Sequence, residues 1–401
     1  MRSSTPLATV LLLSAAAGCN KTAFLVDDPY EDPAADAAPA DFGSWLSMAV
    51  APDDQRLLLA GYDRENGALT FAVGTEGADG AIAWAHEQVD GYFDNSSGLD
   101  VGDRGKFASM KVAPDGTVWI AYYDATKKDL RFAHRLGGVK SWTTGLVDSG
   151  SGSAPAAGEW ASLALDAQGN PVIAYHDAGT KKLKTARFAG INGDSGEYTW
   201  TIAEVQSGQP FVSEPAEDGS VVTRDGDVGK FARLLIEGGT EYIAYYDAGQ
   251  QRLGLLEGTG GVFAQSFVTP AGTDMGQWPS LLVDQGSLVV AFHDVTNQDL
   301  IVGRRGAGGW SLEIADAGEY VGADTEIFTR GGTTAVVYYD GQNNDMKLAE
   351  KTGAVWSNST IGVSDHAVGF HNEVVRVADG FWLVSYDFSS RVPFSSKLID
   401  P

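Results

Sequence analysis

Beyond its first residues, this chain reads in twos. In "ASLALD" (161–166) and "LKTARFA" (183–189) apolar and polar positions alternate, the mark of strands with one face turned inward. Between them, "PVIAYHD" (171–177) is apolar at nearly every position, as a strand covered on both faces should be. A Gly-containing turn joins the first two stretches, a short polar hairpin joins the next, and "YTWTIAEVQ" (198–206) supplies a fourth strand. No segment after the N-terminal apolar run keeps a helical period, so the pattern predicts an all-β protein.

The same unit recurs seven times. Its copies begin at Gly43, Gly105, Gly158, Gly229, Gly276, Gly322 and Gly369, and each second strand closes on an aspartate. The last four of these aspartates are spaced by 46 or 47 residues, and longer gaps earlier imply inserted loops. Four short antiparallel strands per period is the signature of a propeller blade, so residues 43–401 are expected to form a seven-bladed β-propeller. Two packed sandwiches are the other architecture such strands could build. The seventh unit lacks its fourth strand. "TAFLVDD" (22–28) resembles the fourth strand "TTGLVDS" (143–149), which predicts that Ala23–Asp27 pairs with the last blade and closes the ring.

The repeated aspartates, Asp63, Asp124, Asp177, Asp247, Asp294, Asp340 and Asp387, each enter a short turn. A carboxylate there can accept the turn N–H groups two or three residues on, so these are read as turn caps. Metal binding is the sharper reading, but it needs several oxygens on one converging loop. His176 and His293 replace the usual Tyr before the aspartate, and are expected to stack between blades.

Chemistry is more informative where copies differ. The first strand reads Gly-x-Trp/Phe-x-Ser in units 1, 2, 3 and 5. Unit 4 puts Arg233 in place of the Ser, unit 6 has Asp324 and Glu326, and unit 7 has His371 and Glu373. First strands line a propeller's channel, so these five residues are the candidate catalytic set, with carboxylates beside a His suited to acid–base work or cation binding. The two long inserts carry Asp94, Asp100, Asp103, Asp225 and Asp227, weak candidates for calcium; no other cofactor is implied. Both inserts would rise on one face, the expected recognition surface.

Composition narrows the partners. With 28 basic against 53 acidic residues the chain carries a formal charge of -25, which disfavours nucleic acid and anionic membrane surfaces. Its lone cysteine, Cys19, ends "LLLSAAAGC", behind Arg2 and an apolar run too short to span a bilayer. That segment resembles a bacterial lipoprotein signal covering residues 1–18. The resemblance implies acylation of Cys19 as the mature N-terminus, with residues 19–42 as anchor, closing strand and linker. Asn20, in place of an inner-membrane retention Asp, implies an exported protein held at the outer membrane. Membrane contact is expected only through this anchor, and the body is expected to be monomeric.

From Gly43 onward the "ASLALD…VIAYYD…LKxA" pattern resembles bacterial exported propellers of the sialidase-like, BNR-type superfamily. The superfamily's Asp box is absent, and "APDGTVW" (113–119) only approaches it. "GFHNE" (369–373) is similar to the His-containing strand of BNR-type polysaccharide lyases, with His371 as the one residue carried over. Compact blades favour a non-enzymatic, surface-anchored scaffold binding a protein or glycan on its loop face. The alternative is a carbohydrate-active enzyme, glycosidase or polysaccharide lyase, using the cluster of units 6 and 7.

Overall fold

The computed structural model describes residues 39–52, 56–78, 80–93, 100–212, 215, 218–361 and 365–400. It is all-β: seven antiparallel blade sheets, one per repeat, packed in a ring, with two further two-stranded sheets in the long inserts and no helix among the described residues. Blades 1 to 6 each have four strands in the order a–b–c–d. Their first strands are Phe42–Val50, Arg104–Val112, Ala157–Leu165, Val228–Glu237, Met275–Asp284 and Val321–Arg330. Blade 7 shows three, Phe370–Val377, Gly380–Asp387 and Val392–Ile399. The expected closing strand at 23–27 and the anchor Cys19 lie outside the described residues.

A propeller has no single core, and here the buried apolar residues fall into seven clusters. Each joins two consecutive blades, the last joining blade 7 to blade 1 through Trp382 and Val384 against Phe42, Leu46 and Met48. Every b strand therefore has a neighbouring blade on both faces, which explains its unbroken apolar run. Ring closure adds polar contacts. Phe42 N donates to Arg391 O at 3.0 Å, and the Tyr386 hydroxyl donates to Asp41 at 2.5 Å.

The glycine opening each a strand is a packing requirement. A Cβ on Gly105 would lie 2.7 Å from Leu69 Cα of the preceding blade, and one on Gly158 would lie 2.8 Å from Leu130 Cα. The repeated aspartates hold the b–c turns. Oδ1 of Asp63 accepts N–H groups of Glu65 and Asn66 at 2.9 and 3.2 Å. Asp124, Asp177, Asp247, Asp294, Asp340 and Asp387 likewise accept N–H groups two or three residues on.

One expectation needs correcting. His176 does not stack between blades: its Nε2 lies 2.9 Å from Asp227, linking blade 3 to the strand-a approach of blade 4, and its Nδ1 lies 3.5 Å from Glu159 of its own blade. Three of the five acidic insert residues are described with their partners. Asp103 accepts from Lys106 and the Tyr62 hydroxyl, both at 2.7 Å; Asp225 pairs with Lys181; Asp227 is shared by His176 and Lys230. No group of three metal-ligating side chains occurs among the described residues. Asp94 lies outside the described residues, as does the side chain of Asp100.

Candidate functional site

Each a strand carries a bulge at the same place. In blade 1, Ser44 pairs with Tyr62 and Ser47 with Ala60, so Trp45 and Leu46 together oppose one residue. The first bulged residue is left-handed in all seven blades: Trp45, Phe107, Trp160, Phe231, Trp278, Asp324 and His371, with φ from 47° to 56°. That conformation normally belongs to glycine, and in a bulky residue it costs about 1–2 kcal/mol. Strain repeated at one level of a channel marks that level as the place where side-chain direction matters.

The result is an arc of aromatic side chains. Ring centroids run His371–Trp45 5.6 Å, Trp45–Phe107 5.2 Å, Phe107–Trp160 4.8 Å, Trp160–Phe231 4.1 Å and Phe231–Trp278 4.7 Å. Six of seven positions are filled by rings, and Asp324 interrupts the arc between Trp278 and His371. Tyr62, Tyr123, Tyr246 and His293, next to the turn aspartates, brace their own blade's ring edge-on.

Two residues further along, the next layer is set by the repeat's serine. Ser47, Ser109 and Ser162 accept the backbone N–H of Met110, Leu163 and Leu234 in the following blade, at 2.9–3.0 Å. These serines staple adjacent blades. In blade 7, Glu373 takes over this role toward Met48 N at 3.2 Å. Arg233 and Glu326 instead meet each other, pairing blade 4 with blade 6.

All five candidates of the sequence analysis, Arg233, Asp324, Glu326, His371 and Glu373, line one cavity of about 550 Å³ in the channel. That volume is in the range of small-ligand sites. Sequence reasoning missed Lys111, which also lines it. Its signal was present: at the corresponding place the other blades have Ala49, Ala164, Leu235, Leu282, Phe328 and Val375. A second cavity, about 670 Å³, opens above the first at the b–c turns and shares Trp45, Phe370 and His371 with it. The aromatic arc is therefore the throat between an outer vestibule and a charged floor.

Burial shifts the floor's titration. Desolvation pushes the Asp324 carboxyl up to about 7, only partly offset by the His371 backbone N–H. Glu373 rises to about 7 through burial and the like charge of Glu326, against the pull of Arg233 and Lys111. Glu326 is raised by burial despite Arg233. Burial, aided by Arg64, lowers His371 to about 4, so its imidazole is a neutral ring at pH 7. Burial also lowers the Lys111 ammonium. Carboxyls poised near neutrality in a cleft are suited to proton transfer.

No known family profile matches this sequence, and no curated protein matches it. Among solved structures the chain is similar to the polysaccharide lyase Uly1, with 9% identity, 91% of each chain covered and a TM-score of 0.52. It is also similar to the Hadza microbial sialidase Hz136 (12% identity, 82% and 73% covered, TM-score 0.45). The Trypanosoma rangeli sialidase bound to sialic acid is a third (12% identity, 89% and 53% covered, TM-score 0.42). The chain is a seven-bladed β-propeller whose structural neighbours include sialidase and polysaccharide-lyase propellers. At these identities the likeness is one of fold.

Proposed function

We propose that this protein is a carbohydrate-active enzyme that takes a glycan into its central channel and cleaves a glycosidic linkage at the floor. One observation carries the reading: a near-continuous aromatic arc leads onto two neighbouring carboxyls, Glu326 and Glu373, of which Glu373 is held near neutrality. Flat aromatic faces bind the C–H faces of sugars while polar groups beside them fix orientation. This is the alternative weighed in the sequence analysis, preferred here over a scaffold because binding alone does not call for one carboxyl raised to about 7, Glu373, beside a second that is paired with an arginine, Glu326. The lyase and sialidases named above share the architecture; the reading rests on the channel.

In this scheme Glu373 is the general acid. Its proton passes to the glycosidic oxygen as the C–O bond breaks. Glu326, oriented by Arg233, takes a proton from the incoming water, whose hydroxide ends on the sugar carbon. In an eliminating variant Glu326 would take a carbon-bound proton instead, and the product would carry a double bond. Export and anchoring through Cys19 belong to this proposal.

The test is a polysaccharide screen that follows both new reducing ends and unsaturated products. Glu373→Gln should lower turnover at least a hundredfold, while a folded protein still binds the substrate. Binding without turnover across the screen would return the scaffold reading, and turnover indifferent to Glu373→Gln and Glu326→Gln would overturn the assignment.

A further inference from the structure

The acids of the channel are not equivalent. Glu326 has Arg233, and Glu373 has the Met48 N–H with Arg233 and Lys111 nearby. Asp324 has none of these. Among the described residues no cation pairs with its carboxyl, although paired acids are common elsewhere in the protein: Asp90 with Arg104 and Arg131, Asp148 and Asp177 with Lys184, Asp316 with Lys347. Its carboxyl accepts the His371 backbone N–H and occupies the one gap of the aromatic arc. The cavity at this level is lined by the aromatic residues of six blades and by Asp324 of the remaining one.

Ring faces carry negative potential, and stacked Trp, Phe and neutral His faces with one carboxylate are the chemistry that holds an alkylammonium cation. The surrounding field points the same way, because a net charge of -25 attracts cations and repels anions. The basic groups nearby do not reverse this. Arg233 is neutralised by Glu326, Lys111 lies a layer deeper with its charge disfavoured by burial, and Arg64 stands outside the throat in the vestibule.

We infer that the throat selects a glycan bearing a protonated amine, with the ammonium group seated between the aromatic arc and Asp324. The inference rests on the glycan reading and adds its substrate class: amino sugars that are not N-acylated. Glu373 and Glu326 keep their role one layer deeper, and Asp324 becomes a specificity residue that binds without transferring a proton.

Calorimetry on the wild-type protein at pH 7, where the ligand-free Asp324 carboxyl is about half ionised, tests it with three probes: a glucosamine trimer, its fully N-acetylated counterpart, and choline as an ammonium group without a sugar. The glucosamine trimer should bind at least tenfold more tightly than the acetylated one. Added salt should weaken that preference, and Asp324→Asn should abolish it. Equal binding of the two trimers, or a preference that survives Asp324→Asn, overturns the inference and leaves the glycan reading standing. Choline binding with no binding of either trimer overturns both the amino-sugar assignment and the glycan reading. The salt comparison needs no variant, so the inference stays open to refutation even if Asp324→Asn folds poorly.

Discussion

Arg233 of blade 4 reaches past blade 5 to pair with Glu326 of blade 6, at positions where most other blades carry a serine. Arg233→Ser should leave Glu326 and Glu373 facing each other without their cation. The cost expected is about 2 kcal/mol, below the 3–5 of a broken fully buried pair, because channel water reaches the 35% exposed Arg233 side chain. The double change Arg233→Ser with Glu326→Ser restores the repeat and should recover most of that loss. A denaturation double-mutant cycle with a coupling of about 1 kcal/mol or more supports the pair; simple additivity refutes it.

Backbone strain at the throat makes an unusual prediction. In an ordinary strand Gly is worse than Ala, by roughly 0.5–1 kcal/mol. Phe107 has φ of 53°, where Ala is strained and Gly is not. Phe107→Gly should therefore be more stable than Phe107→Ala, by about 1 kcal/mol in chemical denaturation. The reverse order would mean that the left-handed bulge relaxes once the ring is gone, and that the ring itself holds the bend.

The architecture was legible because a propeller is written in repeats. The doubly apolar b strands, the Gly at each a-strand start and the closing aspartates each report a local demand that recurs seven times. The candidate site was legible for the complementary reason: Arg233, Asp324, Glu326, His371 and Glu373 break the repeat, and the ring topology carries every break to one channel. The aromatic arc was harder to see. Its residues belong to the repeat and read as core, and only the left-handed bulge turns them inward. Lys111 was overlooked because its segment, "SMKV", has the alternation of a normal strand. His176 looked like a substitute for Tyr, whereas Asp227, far away in sequence, supplies its partner.

The proposed anchor is tested separately from the propeller. Cys19→Ser should move the protein from the membrane pellet to the soluble fraction of its host, because stable attachment depends on acyl chains and not on the acidic body. Retention in the pellet after that change would show that some other contact holds it there.

The pH dependence follows from the two raised carboxyls. For Asp324 the folded value, about 7, lies above the ordinary 3.8, and for Glu373 it lies above 4.5. Between these values the folded state holds more protons than the unfolded one, so both groups stabilise the fold fully at acid pH and lose that contribution as pH rises toward 7 and beyond. Other groups oppose them. His371 and Asp227, whose folded values are lowered to about 4 and about 2, lose their contribution as pH falls. The wild-type curve alone is therefore a mixture, and the informative quantity is the difference between variant and wild type. Asp324→Asn removes one titration and leaves the others, so its Tm relative to wild type should rise between pH 4.5 and pH 8, by about 3 °C for a domain of this size. A constant difference would mean that Asp324 is solvated well enough in the throat to keep an ordinary pKa. A difference that shrinks with pH would mean that the aspartate is held ionised by a cation the folded protein keeps beside it.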